Sequence, residues 1–123
     1  MNYMTAPNDP KKTREIVMKY YPKEKYDQLL KVVASSFEKI TEKDITGRCR
    51  KQIYVIPRHI FIYLAMKHIG GKKIWIARYL NNRDHSTIDH SLTVSQGYID
   101  TGYSPFIDEL TRLETIYNIG INK

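Results

Sequence analysis

The chain has 123 residues, enough for one domain with one modest core, and its 41 % apolar content is too high for a disordered polymer. No apolar run approaches the roughly 18–20 residues that span a bilayer, and no segment has the form of a signal peptide. The formal net charge is +7, and Cys49, the single cysteine, excludes an internal disulfide, so a reduced, cytoplasmic setting is expected.

In chain order, residues 1–10 carry Pro7, Asn8, Asp9 and Pro10 and read as a tail. "KKTREIVMKYY" (11–21) predicts a short helix before Pro22, so residues 1–23 form an N-terminal extension and 24–118 a single domain. A longer helix is expected over about 24–40, where Leu29, Leu30, Val32, Val33, Phe37 and Ile40 recur at three- and four-residue steps. "TEKD" (41–44) matches the S/T-x-x-D/E start signal and predicts a short helix at about 42–46. "GRCRKQIYVI" (47–56) reads as a loop or extended arm bearing cations. Pro57 suits the first turn of a helix over 57–69, with Ile60, Phe61, Leu64, Ala65 and His68 on one stripe and Gly70-Gly71 as the stop. A short helix at about 72–80 buries Ile76 and Leu80, with Ala77 at a close approach. Asn81-Asn82 forms a turn, and a further helix over 84–98 turns Ile88, Leu92, Ser95 and Ile99 inward. "DTGYSP" (100–105) reads as a loop, and a last helix over 105–117 aligns Phe106, Leu110, Leu113 and Tyr117. No segment alternates as a strand, so the fold class is all-α.

The charge is unevenly placed. From Ile45 to Arg83 there is no Asp or Glu, yet nine cations fall there: Arg48, Arg50, Lys51, Arg58, Lys67, Lys72, Lys73, Arg78 and Arg83. The remainder holds 11 basic and 13 acidic residues, so the whole positive excess belongs to this window. A solvated basic face is the plain reading. An acid-free stretch of this length favours a polyanionic partner over it.

The stretch "NNRDHSTIDHSL" (81–92) holds two Asp-His pairs, Asp84-His85 and Asp89-His90. On a helix, His85 and His90 diverge by about 140°, so they do not share an ion. His85 and Asp89 share a face, but two ligands are short of a zinc site; no metal or other cofactor is expected. Ser86 and His85 are adjacent and point about 100° apart, no nucleophile elbow is present, and "IGGKK" lacks phosphate-loop spacing. No enzyme activity is expected.

A short helix, a tight turn and a second helix that opens on small polar groups is the helix-turn-helix arrangement, in which the first residues of the second helix reach base edges. Asp84 accepts from cytosine N4 or adenine N6, His85 donates to guanine, and Ser86 and Thr87 hydrogen-bond, the Thr87 methyl touching thymine. Asp84 equally suits a plain N-cap. His90, deeper along the helix, reads as structural or phosphate-facing.

"RCRKQIYVIPRHIFIYLAMKHIGGKKIWIARYLNNRDHSTIDHSL" resembles the C-terminal DNA-binding domain of the bacterial replication initiator DnaA. The match rests on "IPRH" (56–59) and "NNRDHST" (81–87), against a family pattern of Pro-Arg-Gln and Gly-Gly-Arg-Asp-His-Thr-Thr. The resemblance implies a Trp-repressor-like helix-turn-helix bundle that binds double-stranded DNA. It implies a basic loop, 48–51, in or near the minor groove, with Arg50 as the inserted arginine and Arg48 and Lys51 beside it. It implies phosphate contacts from Arg58 and His59, contacts to the backbone and a base methyl from Lys73 and Ile74, and base reading by Asp84, His85, Ser86 and Thr87; Lys72 and Arg83, beside these groups, are counted with the DNA-binding residues. Helix 84–98 would occupy the major groove. Asn81-Asn82 stands where the family has Gly-Gly, His59 where it has Gln, Ile74 where it has Pro, and Trp75 and Val94 where it tends to be polar.

The expected function is sequence-preferring DNA binding in replication control or transcription regulation. The expected form is a free-standing relative without the ATPase domain, as in a phage or mobile element. A homodimer or protein partner would use helix 11–21 or 105–117. The contrasting reading is a protein-interaction module that keeps the fold and has lost base reading. Trp75 is expected half-buried, and the scattered tyrosines are expected as core and interface filler.

Overall fold

A computed structural model describes residues 21–70 and 72–120, with backbone alone for 117–120. Helix α1 spans Lys23–Ser36, α2 Glu42–Thr46, α3 Gln52–Leu64, α4 Lys73–Tyr79, α5 His85–Thr101 and α6 Ser104–Gly120. No strand occurs among the described residues, and the all-α helix-turn-helix bundle stands. The helix expected over 11–21 lies outside the described residues, apart from Tyr21.

Helix α3 is the central element and packs against α1, α2, α5 and α6. Its Ile60, Phe61 and Leu64 are wholly buried, together with Tyr26, Leu29 and Val33 of α1, Ile45 of α2, Ile76 of α4, Ile88 of α5 and Phe106 and Leu113 of α6. Each such side chain contributes about 1.5–3 kcal/mol of burial. Tyr79 stacks on Phe61 with centroids 5.7 Å apart, and its hydroxyl donates to Asp27 at 2.5 Å. The short α4 is thereby seated on α1 as well as on α5. Trp75 is half-buried against the core.

The short helix at 42–46 forms as its start signal predicts. Thr41 Oγ1 accepts from the Asp44 amide at 3.2 Å, and the Asp44 carboxylate accepts from the Thr41 amide at 2.9 Å. Helix α1 stops earlier than its apolar period suggests, at Ser36, because Phe37 turns extended (φ −114°, ψ 131°). The Ser36 carbonyl there accepts from Arg112 at 2.9 Å, and the Ser36 hydroxyl donates to Glu109 at 2.6 Å. Ile40 still reaches the core, from outside the helix.

The third helix begins at Gln52 and not at Pro57, so "QIYVI" is helical and not extended. The Lys51 carbonyl accepts from the amides of Tyr54 and Val55 at 2.9 and 3.0 Å. Burial of Ile56 and the turn's own hydrogen bonds override the β-branched composition. Pro57 lies inside the helix, and the carbonyl it leaves without an amide is that of Ile53, whose side chain is exposed. The helix then widens into one π turn, Ala65–Ile69, closed by the Gly70 amide on the Ala65 carbonyl at 2.9 Å. Lys67 and His68 of this turn both donate to Glu114, at 2.8 and 2.7 Å, and tie it to α6.

Helix α5 continues to Thr101, three residues past its expected end. The loop expected over 100–105 shrinks to Gly102 and Tyr103, with Gly102 in the left-handed region at φ 72°. Helix α6 likewise runs from Ser104, and its Phe106, Leu110 and Leu113 face the chain's own core.

Candidate nucleic-acid interface

The turn between α4 and α5 places Asn81 and Asn82 at φ 63° and 56°, both left-handed. Asparagine tolerates this region better than other non-glycine residues, because its short polar side chain bonds locally. The Asn81 Nδ2 itself donates at long range, to the Thr46 carbonyl 35 residues earlier at 2.9 Å. Arg48 Nη2 donates to the Asn81 carbonyl at 2.7 Å, and Arg83 Nη2 donates to the Gly47 carbonyl. The turn and the basic loop are therefore laced together from both sides.

Beneath the loop lies Arg58. Expected at a phosphate, it is 6 % exposed and donates instead to the carbonyls of Ile45 (2.7 Å), Asp44 (2.8 Å) and Cys49 (2.9 Å). Burial, then the neighbouring Arg83, lowers its pKa, while the three carbonyls give the buried guanidinium hydrogen-bond partners. Arg58 builds the loop from beneath and also lines the cleft beside it. His59, also expected at a phosphate, has Nδ1 2.5 Å from Ser91 Oγ. Burial, then His90 and Arg58, lowers its pKa to about 4, so the ring is neutral at physiological pH and is not a cation for phosphate.

The other sequence-derived residues fall into three groups. Arg48, Arg50 and Lys51 of the loop are exposed, as are Lys72 and Ile74 at the start of α4, Ile74 at 53 %. Lys73, expected as a backbone contact, pairs with Asp89 at 2.5 Å, which holds the Asp89 carboxyl below its ordinary range. At the opening of α5, Asp84 occupies the N-cap position without a side-chain cap bond. Asp84, His85 and Ser86 are exposed, and Thr87 is half-buried.

Between loop and helix opens a cleft of about 670 Å³. Arg50 and Gln52 line one side, Arg83, Ser86, Thr87 and His90 the other, and Val55, Arg58, His59, Ile62 and Ser91 the floor. No acidic residue lines it. Burial, then the nearby Arg48 and Arg50, lowers the Arg83 pKa, which marks these three arginines as one field of like charge. Sequence reasoning missed Gln52 because it was read as loop, and Ser91 because its partner His59 is 32 residues away. The Lys73–Asp89 pair joins two helices and leaves no local signal; the i, i+4 spacing of His85 and Asp89 was the half of it that was visible. Among the described residues no three His, Cys, Asp or Glu side chains come together as a metal site, and no helix is long and apolar enough to cross a membrane.

The model of the bacterial dnaA protein helix-turn-helix matches residues 26–94, more than half of the chain. The chain belongs to this family. The matched segment of the dnaA helix-turn-helix runs from α1 into α5 and contains every residue of the cleft. Similar curated proteins are chromosomal replication initiator proteins DnaA. That of Bacteroides thetaiotaomicron is 29 % identical over 90 residues, covering 73 % of this chain and 19 % of the relative. That of Lacticaseibacillus casei is 34 % identical over 64 residues, covering 52 % and 14 %. That of Herpetosiphon aurantiacus is 31 % identical over 72 residues, covering 58 % and 13 %. The chain thus spans less than a fifth of the length of these relatives. No solved structure matches it significantly.

Proposed function

We propose that residues 24–118 form one domain that binds double-stranded DNA with sequence preference, in replication control or transcription regulation. The observation that carries this reading is the acid-free cleft between the basic loop and the start of α5. Arg50 and Arg83 line it with Arg48 nearby, their like charges repel, and a passing phosphate strand relieves that repulsion. The start of α5 enters the major groove, where Asp84, His85, Ser86 and Thr87 meet base edges. The loop 48–51 then faces the adjacent minor groove, with the exposed Arg50 the cation that enters it. Lys51 and Lys72 lie against phosphates, and Ile74 meets a base methyl. Arg58, His59 and Lys73 support these groups from behind.

The test is affinity for random duplex DNA across a salt series, followed by selection from a random duplex pool. Affinity should fall steeply with salt, and Asp84→Ala should change the selected sequence while Arg50→Ala weakens binding to every sequence. A flat salt response would exclude the DNA reading, and equal, sequence-blind losses in the two variants would exclude base reading.

A further inference from the structure

His85 and Asp89 lie one turn apart on the same face of α5, with Nδ1 of the ring 3.4 Å from Asp89 Oδ2. The other carboxylate oxygen, Oδ1, accepts from Lys73 Nζ at 2.5 Å. Asp89 is thus anchored to α4 through one oxygen and faces the imidazole with the other. We infer that Asp89 is a positioning residue for base recognition: it sets the tautomer of His85, and so makes an amino-bearing base, adenine or cytosine, the partner of that histidine. This inference rests on the DNA-binding reading above.

The argument is one of hydrogen-bond capacity. An ionised carboxylate only accepts, so Asp89 at 3.4 Å favours the tautomer with the proton on the ring nitrogen that faces it. A neutral imidazole has one N–H, which leaves Nε2 as a lone-pair acceptor. His85 is 62 % exposed, and Nε2 lies across the ring from the edge that faces Asp89. In the major groove an acceptor pairs with adenine N6 or cytosine N4 and is repelled by guanine O6 and N7. The sequence-based expectation that His85 donates to guanine is replaced by its complement. Asp84, next to it, is also an acceptor, so the two side chains ask for the same chemistry. Lys73 is explained as well: it holds the carboxylate in place and does not reach for a phosphate.

Two measurements on the full chain test this, with helicity and thermal midpoint confirming that each variant is folded. Nitrogen NMR of the ring, at a pH where His85 is neutral, should show the Nδ1–H tautomer in the wild type and loss of that preference in Asp89→Ala. Selection from a random duplex pool should give adenine or cytosine at the position that His85→Ala leaves indifferent. Asp89→Ala should weaken that preference about tenfold or turn it toward guanine, and Asp89→Asn, which keeps the shape without the obligate acceptor, should weaken it too. An Nε2–H tautomer in the wild type would overturn the inference. So would a base preference unchanged in both Asp89 variants while His85→Ala alters it. A wild-type chain that binds duplex DNA without any sequence preference would overturn the base-reading role, while the tautomer would still judge how Asp89 orients the ring.

Discussion

Arg48 and Asn81 meet across 33 residues of sequence, guanidinium to backbone carbonyl, at 2.7 Å. The contact joins the basic loop to the tightest turn of the helix-turn-helix. Asn81 answers with its own side chain on Thr46, so each segment donates to the backbone of the other.

That reciprocity separates two effects at position 81. Asn81→Gly removes the bond to Thr46, worth about 1 kcal/mol, but relaxes a residue held at φ 63°; its stability should stay close to wild type. Asn81→Val loses the same bond and forces a β-branched residue into the left-handed region, at a further cost of roughly 1–3 kcal/mol. Urea denaturation of both variants measures the difference. Equal losses would mean that the side-chain bond, and not the backbone conformation, dominates.

Arg58 and Arg50 should part company in the same way. Arg58→Met strands three carbonyls under the loop and should cost roughly 3 kcal/mol of stability. Arg50→Ala touches an exposed cation and should leave stability within about 0.5 kcal/mol, while reducing the salt slope of DNA binding by about 1. Denaturation and binding isotherms on the two variants give both numbers.

His59 gives stability a pH dependence of defined sign. Its pKa falls from 6.5 to about 4 on folding. Above pH 6.5 the ring is neutral in folded and unfolded chain alike, and its contribution is fully present. Between 6.5 and about 4 the unfolded chain takes up a proton that the folded one refuses, so stability declines through that window. His59→Gln, which keeps a polar group near Ser91, should flatten that decline. A wild-type thermal midpoint unchanged from pH 7 to pH 4.5 would contradict it.

Two glycines should respond in opposite directions to alanine. A Cβ on Gly47 would lie 2.9 Å from the Lys43 carbonyl, so Gly47→Ala must shift backbone and should cost about 1–2 kcal/mol. Gly97 is inside α5 with open space around it, and Gly97→Ala should add about 0.5–1 kcal/mol. Thermal melts of the pair decide both.

How much of this could be read from the residues follows the range of each interaction. The Thr41–Asp44 capping box and the Asn81-Asn82 turn are local, and both were legible. So was the opening of α5, because small polar groups after a tight turn have a short-range signature. The start of α3 was not, for Ile53, Val55 and Ile56 favour extension until Ile56 is packed against the core. Arg58 looked like a surface cation because the three carbonyls it serves belong to an irregular loop that no periodicity reveals. Lys73 and Asp89, 16 residues apart on two helices, become a pair only once α4 is laid across α5.

The lacing of turn to loop has a thermodynamic consequence for encounter with a ligand. A free loop must surrender its backbone entropy when it binds, and that loss subtracts from affinity. Here the order of residues 44–49 is imposed during folding, by Arg58 from below and by Asn81 and Arg83 from the side. Under the proposed DNA-binding reading, loop and the start of α5 would approach a duplex as one preset gauge. The backbone up to Cys49 would then bring no ordering cost of its own to that encounter.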